Sequence, residues 1–378
     1  MFDVPNKRAY VSTTTMRTLE KLTIKGFKSI REQELELSRL NVFIGSNGSG
    51  KSNLIGSFRF LHNVINQRLA DYTAKRGGAD TLLYYGRRST PRMSFDLVFG
   101  EGDEASGYQI TLAGTDESGL TIEQEKALFH KRNIYDRPYD RTVAIYAQES
   151  QLRNEKHVTA RTVTADLDSY RVYHFHDTSD TAPMKGICDV DDNRTLRAQA
   201  QNLPAFLYYQ QERHHDHFSL IEDTVRQIAP FFGKFELQPS RLNESKIRLA
   251  WQEKNHDNYF NATSLSDGTL RFICLATLLL QPELPSLVLL DEPELGLHPA
   301  AITLLADLLL AASQRTQIMV ATQSVTLVNR LTPEHVWTVN REDEQSVFSK
   351  LSLTDDSAWL DDYSLGELWE KNIIEARP

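Results

Sequence analysis

The sequence predicts an α/β protein with a parallel sheet at its centre, and three observations carry this prediction. An apolar run, Leu40–Ile44, is followed at once by a glycine-rich turn and by a helical pattern that begins near Lys51. From Asp267 to Val339, apolar strands alternate with helical patterns, which is typical of parallel strands joined by right-handed crossovers. Between these two parts, Met93–Gln124 alternates apolar and polar residues between turn clusters, which favours an antiparallel meander.

These elements divide the chain into a core that is split in sequence and an inserted lobe. Strands are expected at Leu19–Ile24 and Glu34–Ile44, before the meander. The elements expected after the lobe are helix Asp267–Leu280, strand Leu287–Leu290, helix Ala300–Ala312, strand Gln317–Ala321, helix Ser324–Arg330 and strand Val336–Val339. We assign residues 1–127 and 259–378 to the core, and residues 128–258 to the lobe. The periodicity of the lobe is weak, apart from helical patterns at 202–212 and 218–228.

The last segment, Asp355–Pro378, is strongly acidic. It holds seven acidic and two basic residues. Its apolar residues at near-helical spacing are Leu365, Leu368, Trp369 and Ile373. We therefore expect a short amphipathic helix that packs on the core and exposes its acids to solvent.

The composition is that of a soluble globular protein. The 378 residues include 51 acidic and 42 basic side chains, for a net charge of −9, so contact with nucleic acid has to be local. The N-terminal stretch lacks the apolar core of a signal peptide, and the longest apolar run, Phe272–Leu280, is too short to span a bilayer. With only two cysteines, Cys188 and Cys274, we expect a cytoplasmic protein without membrane contact.

A phosphate-binding loop, or P-loop, is the most specific motif. It reads Gly45-Ser46-Asn47-Gly48-Ser49-Gly50-Lys51-Ser52, which fits G-x-x-x-x-G-K-[ST] directly after an apolar strand. Glycines allow consecutive backbone N–H groups to surround phosphate oxygens, and the start of the next helix adds partial positive charge. The Lys51 ammonium can reach the β and γ phosphates of ATP, and the Ser52 hydroxyl can bind Mg²⁺. A purely structural turn is the alternative, which the Lys-Ser pair after the strand disfavours.

A second expected strand ends in two carboxylates. Asp291 and Glu292 follow the apolar run Leu287–Leu290, where the tip of a buried parallel strand faces the ligand crevice. We expect Asp291 to hold Mg²⁺ directly or through water, and Glu292 to polarise the water that attacks the γ phosphate. The alternative is a strand that ends in exposed acids. The P-loop earlier in the chain favours the catalytic interpretation.

Together the motifs resemble the ATP-binding-cassette (ABC) ATPases of the SMC and RecF type. The resemblance rests on the P-loop, on Leu265-Ser266-Asp267-Gly268-Thr269, and on Asp291-Glu292 with the following Pro293-Glu294-Leu295-Gly296-Leu297-His298-Pro299. Segments 22–30, 173–179, 202–208 and 363–369 further resemble the stand-alone bacterial AAA-family ATPases, often called RecF-like predicted ATPases. The ATPase domain of the overlong-lysogenization nuclease is a more distant relative. The resemblance implies an ABC-type P-loop ATPase head with a mixed sheet, an antiparallel β flap and an inserted α/β lobe.

The resemblance also implies that two heads close face to face around two Mg-ATP molecules, as a homodimer or a higher homo-oligomer. Ser266, Asp267 and Gly268 then contact the γ phosphate held by the P-loop of the partner subunit. An expected helix N-terminus at Ser266 suits an anion, although a plain helix cap is the alternative. Asn53 and Lys28 complete the expected nucleotide contacts.

Two positions depart from the pattern of the relatives. Asp267 stands where transporter-type cassettes have a glycine, and it puts a carboxylate near phosphates. Gln323 follows the strand Gln317–Ala321, where relatives commonly carry a histidine that senses the γ phosphate. The Gln323 amide can form hydrogen bonds but cannot carry charge. We therefore expect slow hydrolysis with a contribution from Gln323.

The lobe carries two weaker signals. Lys126–Arg161 contains eight basic and four acidic residues with interleaved tyrosines, which indicates either a DNA-binding patch or, slightly favoured, ordinary charged surface. The histidine-rich segments 174–177 and 214–217 do not fit a common zinc spacing, so no metal beyond Mg²⁺ is expected. The absence of heptads argues against a coiled-coil arm.

The leading functional expectation is an ATPase that uses dimer closure and hydrolysis as a switch. Proteins that the chain resembles often work beside a separately encoded nuclease in defence against phage, so the resemblance implies such an effector partner. The alternative is a RecF-like repair ATPase that clamps duplex DNA without an effector. A transporter ATPase is disfavoured by Asp267, Gln323 and the large lobe.

Overall fold

The structure is a computed structural model that describes residues 17–351 and 363–374. Its strands are β1 (Thr18–Phe27), β2 (Ile30–Glu36), β3 (Leu40–Ile44), β4 (Arg92–Glu101), β5 (Glu104–Gly114), β6 (Leu120–Lys131), β7 (Tyr139–Ala147), β8 (Tyr170–Tyr173), β9 (Ile187–Asp189), β10 (Phe232–Phe235), β11 (Lys246–Arg248), β12 (Ala250–Glu253), β13 (Tyr259–Asn261), β14 (Leu287–Asp291), β15 (Gln317–Thr322), β16 (Val336–Glu342) and β17 (Gln345–Lys350). Its helices are α1 (Lys51–Ile65), α2 (Leu69–Lys75), α3 (Val158–Asp168), α4 (Leu203–Arg213), α5 (His215–Ile228), α6 (Asp267–Leu280), α7 (Pro299–Ser313), α8 (Val325–Val328) and α9 (Leu365–Glu370). Over these residues, every helix is too short or too polar to span a bilayer.

The central sheet is mixed and has the strand order β17-β16-β3-β15-β14-β8. Five neighbouring strands run parallel, and β17 joins antiparallel to β16 at the edge. Alternate residues of the middle strands face two different apolar cores, one shared with α6 and α7 and the other with α1. Coverage on both faces explains why these strands are continuous apolar runs. The predicted α/β fold class is confirmed.

The predicted antiparallel flap is also present. Its strand order is β2-β1-β4-β5-β6-β7, and its buried face packs on α1, where the Phe60 and Phe95 rings lie 5.6 Å apart. The single strand predicted at Glu34–Ile44 is wrong, because β2 belongs to the flap and β3 to the central sheet. Between them, the Asn41 side chain donates to Ser38 O at 2.7 Å and accepts from Ser38 N at 3.0 Å. This turn allows the chain to pass from one sheet to the other.

The segment assigned to the lobe contributes to both main sheets. Strand β7 extends the flap, and β8 pairs in parallel with β14 at the edge of the central sheet. The boundary predicted at residue 128 therefore does not coincide with the end of the sheets. The remaining part of this segment includes α4 and α5, both predicted, and α5 packs on α6. A short edge strand has too few residues to show a clear period, which explains why the periodicity did not indicate β8.

The described part of the C-terminal segment contains α9. Ser364 and Glu367 form a reciprocal capping box at its start, and the apolar side chains predicted to pack are buried except Ile373. For Ile373 alone the prediction is wrong, because this side chain is 38% exposed and the neighbouring Ile374 is buried instead. Asn372 adopts a left-handed conformation with φ of +54°. Ile373 therefore follows the end of α9 and does not continue the helical spacing of the earlier apolar residues. Residues 355–362 and 375–378 of the predicted helix lie outside the described residues.

Candidate functional site

The P-loop connects β3 to α1 at the carboxyl edge of the central sheet. Gly48 and Gly50 adopt positive φ angles of +77° and +114°, which L side chains rarely adopt. A β-carbon at Gly50 would overlap the hydroxyl of Ser346 in β17. That hydroxyl donates to Ser49 O at 2.6 Å. Strand β17 thus supports the loop from behind and leaves no room for a side chain at Gly50.

The Lys51 ammonium lies over the P-loop. It donates to Gly45 O at 2.6 Å and to Ser46 O at 3.0 Å. Burial lowers the pKa of Lys51, while the negative charges of Glu292 and Asp291 oppose this shift. The Lys51 side chain is thus directed into the loop that binds phosphates in proteins with this motif.

Two oxygen ligands suited to Mg²⁺ lie side by side where β14 ends and α1 begins. Ser52 Oγ donates to Asp291 Oδ1 at 3.1 Å, and Ser52 is exposed. Hydroxyl and carboxylate oxygens are hard ligands of the kind that Mg²⁺ prefers. Ser52 and Asp291 therefore fit the predicted metal site. The Nε2 atom of His176 lies 2.7 Å from Asp291 O, so a histidine side chain contacts the backbone at the end of the same strand.

Gln323 joins the P-loop to the carboxylate of Glu292. Its Nε2 atom donates to Asn47 Oδ1 and to Glu292 Oε1, both at 2.6 Å. Glu292 has a φ of +45°, a conformation that is costly for a residue other than glycine and is often found at functional sites. The structure thus brings the sequence-predicted Gln323, Glu292 and Asn47 into one hydrogen-bonded group.

Glu294 is a further residue of this group, which the sequence did not identify. Its Oε1 atom accepts from Thr322 Oγ1 at 2.5 Å and from Gln323 N at 3.0 Å. Its Oε2 atom is buried without a hydrogen-bond partner among the described residues. Burial raises the pKa of Glu294, and the negative charge of Glu292 raises it further. The only local signal was an acid two residues after Glu292, and no linear pattern joins that acid to Gln323.

Ser266 lies at the start of α6, as predicted. Its hydroxyl accepts from Thr269 N at 3.2 Å and caps the helix. A β-carbon at Gly268 would lie 2.6 Å from Gly296 O, so only glycine allows α6 this close to the loop after Glu294. In the part of the chain that the structure describes, no hydrogen bond or ion pair joins Ser266, Asp267 or Gly268 to the P-loop of the same chain.

The carboxylate of Asp267 has a cationic neighbour from the lobe segment. Lys185 Nζ lies 3.6 Å from Asp267 Oδ1, and the Lys185 side chain is 5% exposed. The same ammonium donates to Thr178 O at 2.6 Å. The charge that the sequence places at the start of α6 is thus partly offset by a buried lysine.

Asn53 and Lys28 lie behind or beside the P-loop rather than in it. Asn53 Nδ2 donates to Ser29 Oγ at 2.7 Å. Lys28 Nζ lies beside Gly56 in α1, and burial together with the charges of Arg76 and Arg59 lowers its pKa. Within the described ranges, the structure joins neither side chain to the P-loop by a hydrogen bond.

The basic stretch Lys126–Arg161 is largely paired with acids. Five of its cations form ion pairs: Lys126 with Asp140, Lys131 with Glu104, Arg132 with Glu20, Arg141 with Glu155, and Arg153 with Asp168. Three of these acids lie outside the stretch, so the surface is less positive than its sequence. Tyr135, Tyr139 and Tyr146 are all more than half exposed.

The histidine clusters make internal contacts. The His174 and His176 rings lie 4.1 Å apart, and His217 Nδ1 lies 2.7 Å from Leu280 O. Over residues 17–351 and 363–374, no group of three His, Cys, Asp or Glu side chains is arranged to hold a metal ion. The contact of His176 with Asp291 arises because β8, which precedes this histidine, is the neighbour of β14.

Comparisons with known proteins agree with this architecture. Residues 40–329 match the family described as "AAA domain, putative AbiEii toxin, Type IV TA system". A DNA replication and repair protein RecF from Renibacterium salmoninarum is 36% identical over 83 residues, which are 21% of this chain and 21% of that protein. The match thus spans about a fifth of the relative's length.

Two solved structures share the fold. An SMC head bound to the C-winged helix domain of ScpA has a TM-score of 0.61 at 17% identity, over 90% of this chain and 99% of that chain. An SMC head with an extended coiled coil, bound to the C-terminal domain of ScpA derived from Pyrococcus furiosus, has a TM-score of 0.58 at 14% identity, over 92% of this chain and 99% of that chain. The chain therefore has the ABC-type P-loop ATPase fold of an SMC head.

Proposed function

Because the chain belongs to the AAA-domain family that matches residues 40–329, we propose that it is an ABC-type ATPase that closes head to head around two Mg-ATP molecules. One observation carries the proposal. The P-loop, Asp291, Glu292 and Gln323 meet within hydrogen-bond distance at the carboxyl edge of one parallel sheet. This edge is where open α/β sheets bind their ligands.

Each of these residues has a defined part in hydrolysis. Lys51 neutralises charge on the β and γ phosphates of the substrate, and the P-loop amides surround the phosphate oxygens. Ser52 and Asp291 would hold Mg²⁺, which when bound offsets further phosphate charge. Glu292 orients the attacking water, and Gln323 holds the Glu292 carboxylate in place. The catalytic power comes from positioning and electrostatics.

The proposal includes slow turnover. Gln323 is neutral, so it can donate hydrogen bonds near the γ phosphate but cannot supply the positive charge of a protonated histidine. The Glu292 carboxylate is already engaged by this amide at 2.6 Å. Asp267 adds negative charge at the surface that would meet the phosphates of the partner subunit. These features favour a protein that uses ATP binding and slow hydrolysis as a switch over an enzyme that turns over ATP rapidly.

The arrangement of α6 supports a site shared between two chains. Ser266 and Asp267 are exposed, and no described contact ties them to the P-loop of their own chain. The helix N-terminus at Ser266 offers backbone N–H groups to an anion. In the proposed dimer, Ser266 and Gly268 of one chain complete the ATP site of the other.

The proposed cellular role is a cytoplasmic switch that controls a separate nuclease-type effector in defence against phage. Its support is the resemblance of the chain to stand-alone bacterial AAA-family ATPases, including the distant relationship to the overlong-lysogenization nuclease. The family description mentions a type IV toxin–antitoxin system, which is in keeping with a two-component system. A co-purifying nuclease from the native host tests this part.

A RecF-like DNA clamp is the second candidate, favoured by the 36% identity to RecF over 83 residues. It predicts DNA binding that falls steeply with salt and is lost when Lys131, Arg132, Arg137 and Arg141 are neutralised. Lys131, Arg132 and Arg141 are ion-paired, so DNA has to compete with their acidic partners. Affinity that does not change on neutralising all four would remove this candidate.

The decisive experiment is the Glu292→Gln variant with Mg-ATP, followed by measurement of the mass of the complex. The trans-dimer mechanism predicts a trapped dimer, because ATP binds but the water is no longer oriented. The same variant with ADP is the matched control and should remain monomeric. A monomer in both conditions that hydrolyses ATP at the unmodified rate would show that the mechanism is wrong.

A further inference from the structure

A cavity of about 390 Å³ lies beside α1 and is separate from the P-loop. Its wall includes Arg59 of α1, Arg76 after α2, and Arg171 of β8. Another wall residue, His174, packs on His176, so the cavity adjoins the Asp291 end of the ATP site. Its volume lies within the range of small-molecule sites in proteins.

Among the described residues, the charged side chains that line this cavity are arginines. The lining contains the guanidinium groups of Arg59, Arg76 and Arg171 and no Asp or Glu. Arg171 Nη1 donates to backbone carbonyls, including Tyr170 O at 2.8 Å. No described ion pair neutralises any of the three. Their charges therefore attract an anion into the cavity.

Polar atoms in the wall also lack hydrogen-bond partners. Arg59 Nη2 and His174 Nδ1 are buried without a partner among the described residues. An unsatisfied buried polar atom costs free energy. Burial, followed by the charges of Arg76 and Arg59, lowers the pKa of the nearby Lys28 ammonium, in keeping with positive charge on this side of α1. A phosphate group in the cavity would offset the positive charge of Arg59 and Arg76 there.

The rest of the wall is aromatic and aliphatic. The Arg76 guanidinium lies 5.3 Å from the centre of the Tyr72 ring, and Phe58 and Tyr170 line the same space with ring centroids 6.2 Å apart. Such surfaces bind flat, ring-containing groups, whereas a bare inorganic anion would leave them in contact with water.

We propose that this cavity binds a small phosphate-bearing molecule with a flat ring, of the mononucleotide class, as a site distinct from the ATP site. Arginine binds phosphate bidentately and stacks on rings, so Arg59, Arg76 and Arg171 match the phosphate end. Phe58, Tyr72 and Tyr170 match the ring.

The test is equilibrium dialysis of full-length protein with radiolabelled AMP or GMP, while saturating non-hydrolysable ATP analogue and Mg²⁺ occupy the P-loop. We expect one additional mononucleotide per chain for at least one of the two probes. The Arg59→Gln/Arg171→Gln variant should weaken this binding at least about tenfold, since each arginine loses charge-assisted hydrogen bonds. Retained binding of the ATP analogue shows that the variant is folded.

Two further variants make the result specific. Lys75→Gln removes an exposed cation of α2 that does not line the cavity, so it should bind mononucleotide as the wild type does. Arg76→Gln, at an exposed wall position, should weaken binding even where the double variant is unstable. The proposal is overturned by absence of mononucleotide beyond the ATP site, by binding that survives all arginine substitutions, or by competition showing that inorganic phosphate binds equally well.

Discussion

Gln323 forms hydrogen bonds with three other residues of the site. Its side chain bonds to Asn47 in the P-loop and to Glu292, and its backbone N–H donates to Glu294. A neutral amide can hold both an amide oxygen and a carboxylate oxygen through its two N–H bonds. Glu294 in turn accepts a hydrogen bond from the backbone of Gln323, so the position of the Glu292 carboxylate depends indirectly on Glu294.

Removing the Glu294 acceptor should slow hydrolysis without abolishing ATP binding. In Glu294→Ala, Gln323 N and the Thr322 hydroxyl lose their acceptor, and we expect kcat to fall by about tenfold. Steady-state hydrolysis at saturating ATP and a nucleotide titration measure the two effects. Glu294→Gln, which keeps an acceptor oxygen, is the control and should retain most of the rate. Equal losses in both variants would contradict the positioning role.

His174 should make the fold less stable as the pH falls. Burial, followed by the charges of His176 and Arg59, lowers the pKa of His174 from 6.5 to about 4. The unfolded chain therefore binds more protons between these values, so this contribution to the free energy of unfolding is complete above pH 6.5 and lost towards pH 4. Thermal unfolding of wild type and His174→Gln should show a steeper decline for the wild type in this window. If the unfolding temperatures of the two proteins fell in parallel over this pH range, the contribution of His174 would be contradicted.

At the scale of elements, strand order determines which side chains meet. Strand β15 lies between β3 and β14, so Gln323, just after β15, reaches Asn47 on one side and Glu292 on the other. Strand β8 follows β14 in the sheet, which places His176 against Asp291. Behind this edge, β17 supplies Ser346 to the P-loop. The site is thus assembled from the ends of neighbouring parallel strands.

The support from β17 predicts unequal effects of two glycine substitutions. Gly48→Ala meets no atom within 4 Å and should cost only the left-handed conformation, about 1 to 2 kcal/mol in the free energy of unfolding. Gly50 has a φ of +114°, farther from the left-handed region that L residues tolerate, and in Gly50→Ala the β-carbon also overlaps the Ser346 hydroxyl. This substitution should therefore cost more and displace the loop. Urea unfolding without nucleotide compares them. A larger loss for Gly48→Ala would show that β17 does not constrain the loop.

At the scale of the whole molecule, the proposed dimer requires each chain to carry two separate halves of an ATP site. In that proposal, the P-loop with Asp291 and Glu292 forms one half, and the start of α6 with Ser266 forms the other. The net charge of −9 coexists with cationic groups at the P-loop and in the wall of the cavity beside α1. On the surface, the basic stretch 126–161 is mostly matched by acids.

Complementation between two inactive chains tests the shared site. Lys51→Ala removes the P-loop cation, and Ser266→Arg places a bulky side chain at an exposed position that would face the partner's ATP. A heterodimer of these chains contains one intact site, so an equal mixture should recover roughly a quarter of the wild-type rate if dimers form at random. Each variant alone is the control. Full activity of Ser266→Arg alone would mean that each chain hydrolyses ATP by itself, and a mixture as inactive as its components would contradict the shared site.

The sequence by itself determined the motifs that depend on adjacent residues. The P-loop, the Asp291-Glu292 pair and the Ser266 cap are local patterns, because a strand end or helix start imposes its requirements on neighbouring positions. Only the tertiary structure decided the contacts of Glu294, the membership of β8 in the central sheet, the ion pairs of Lys131 and Arg132, and the cavity beside α1. These depend on strand order and on contacts between distant residues, which local periodicity does not encode.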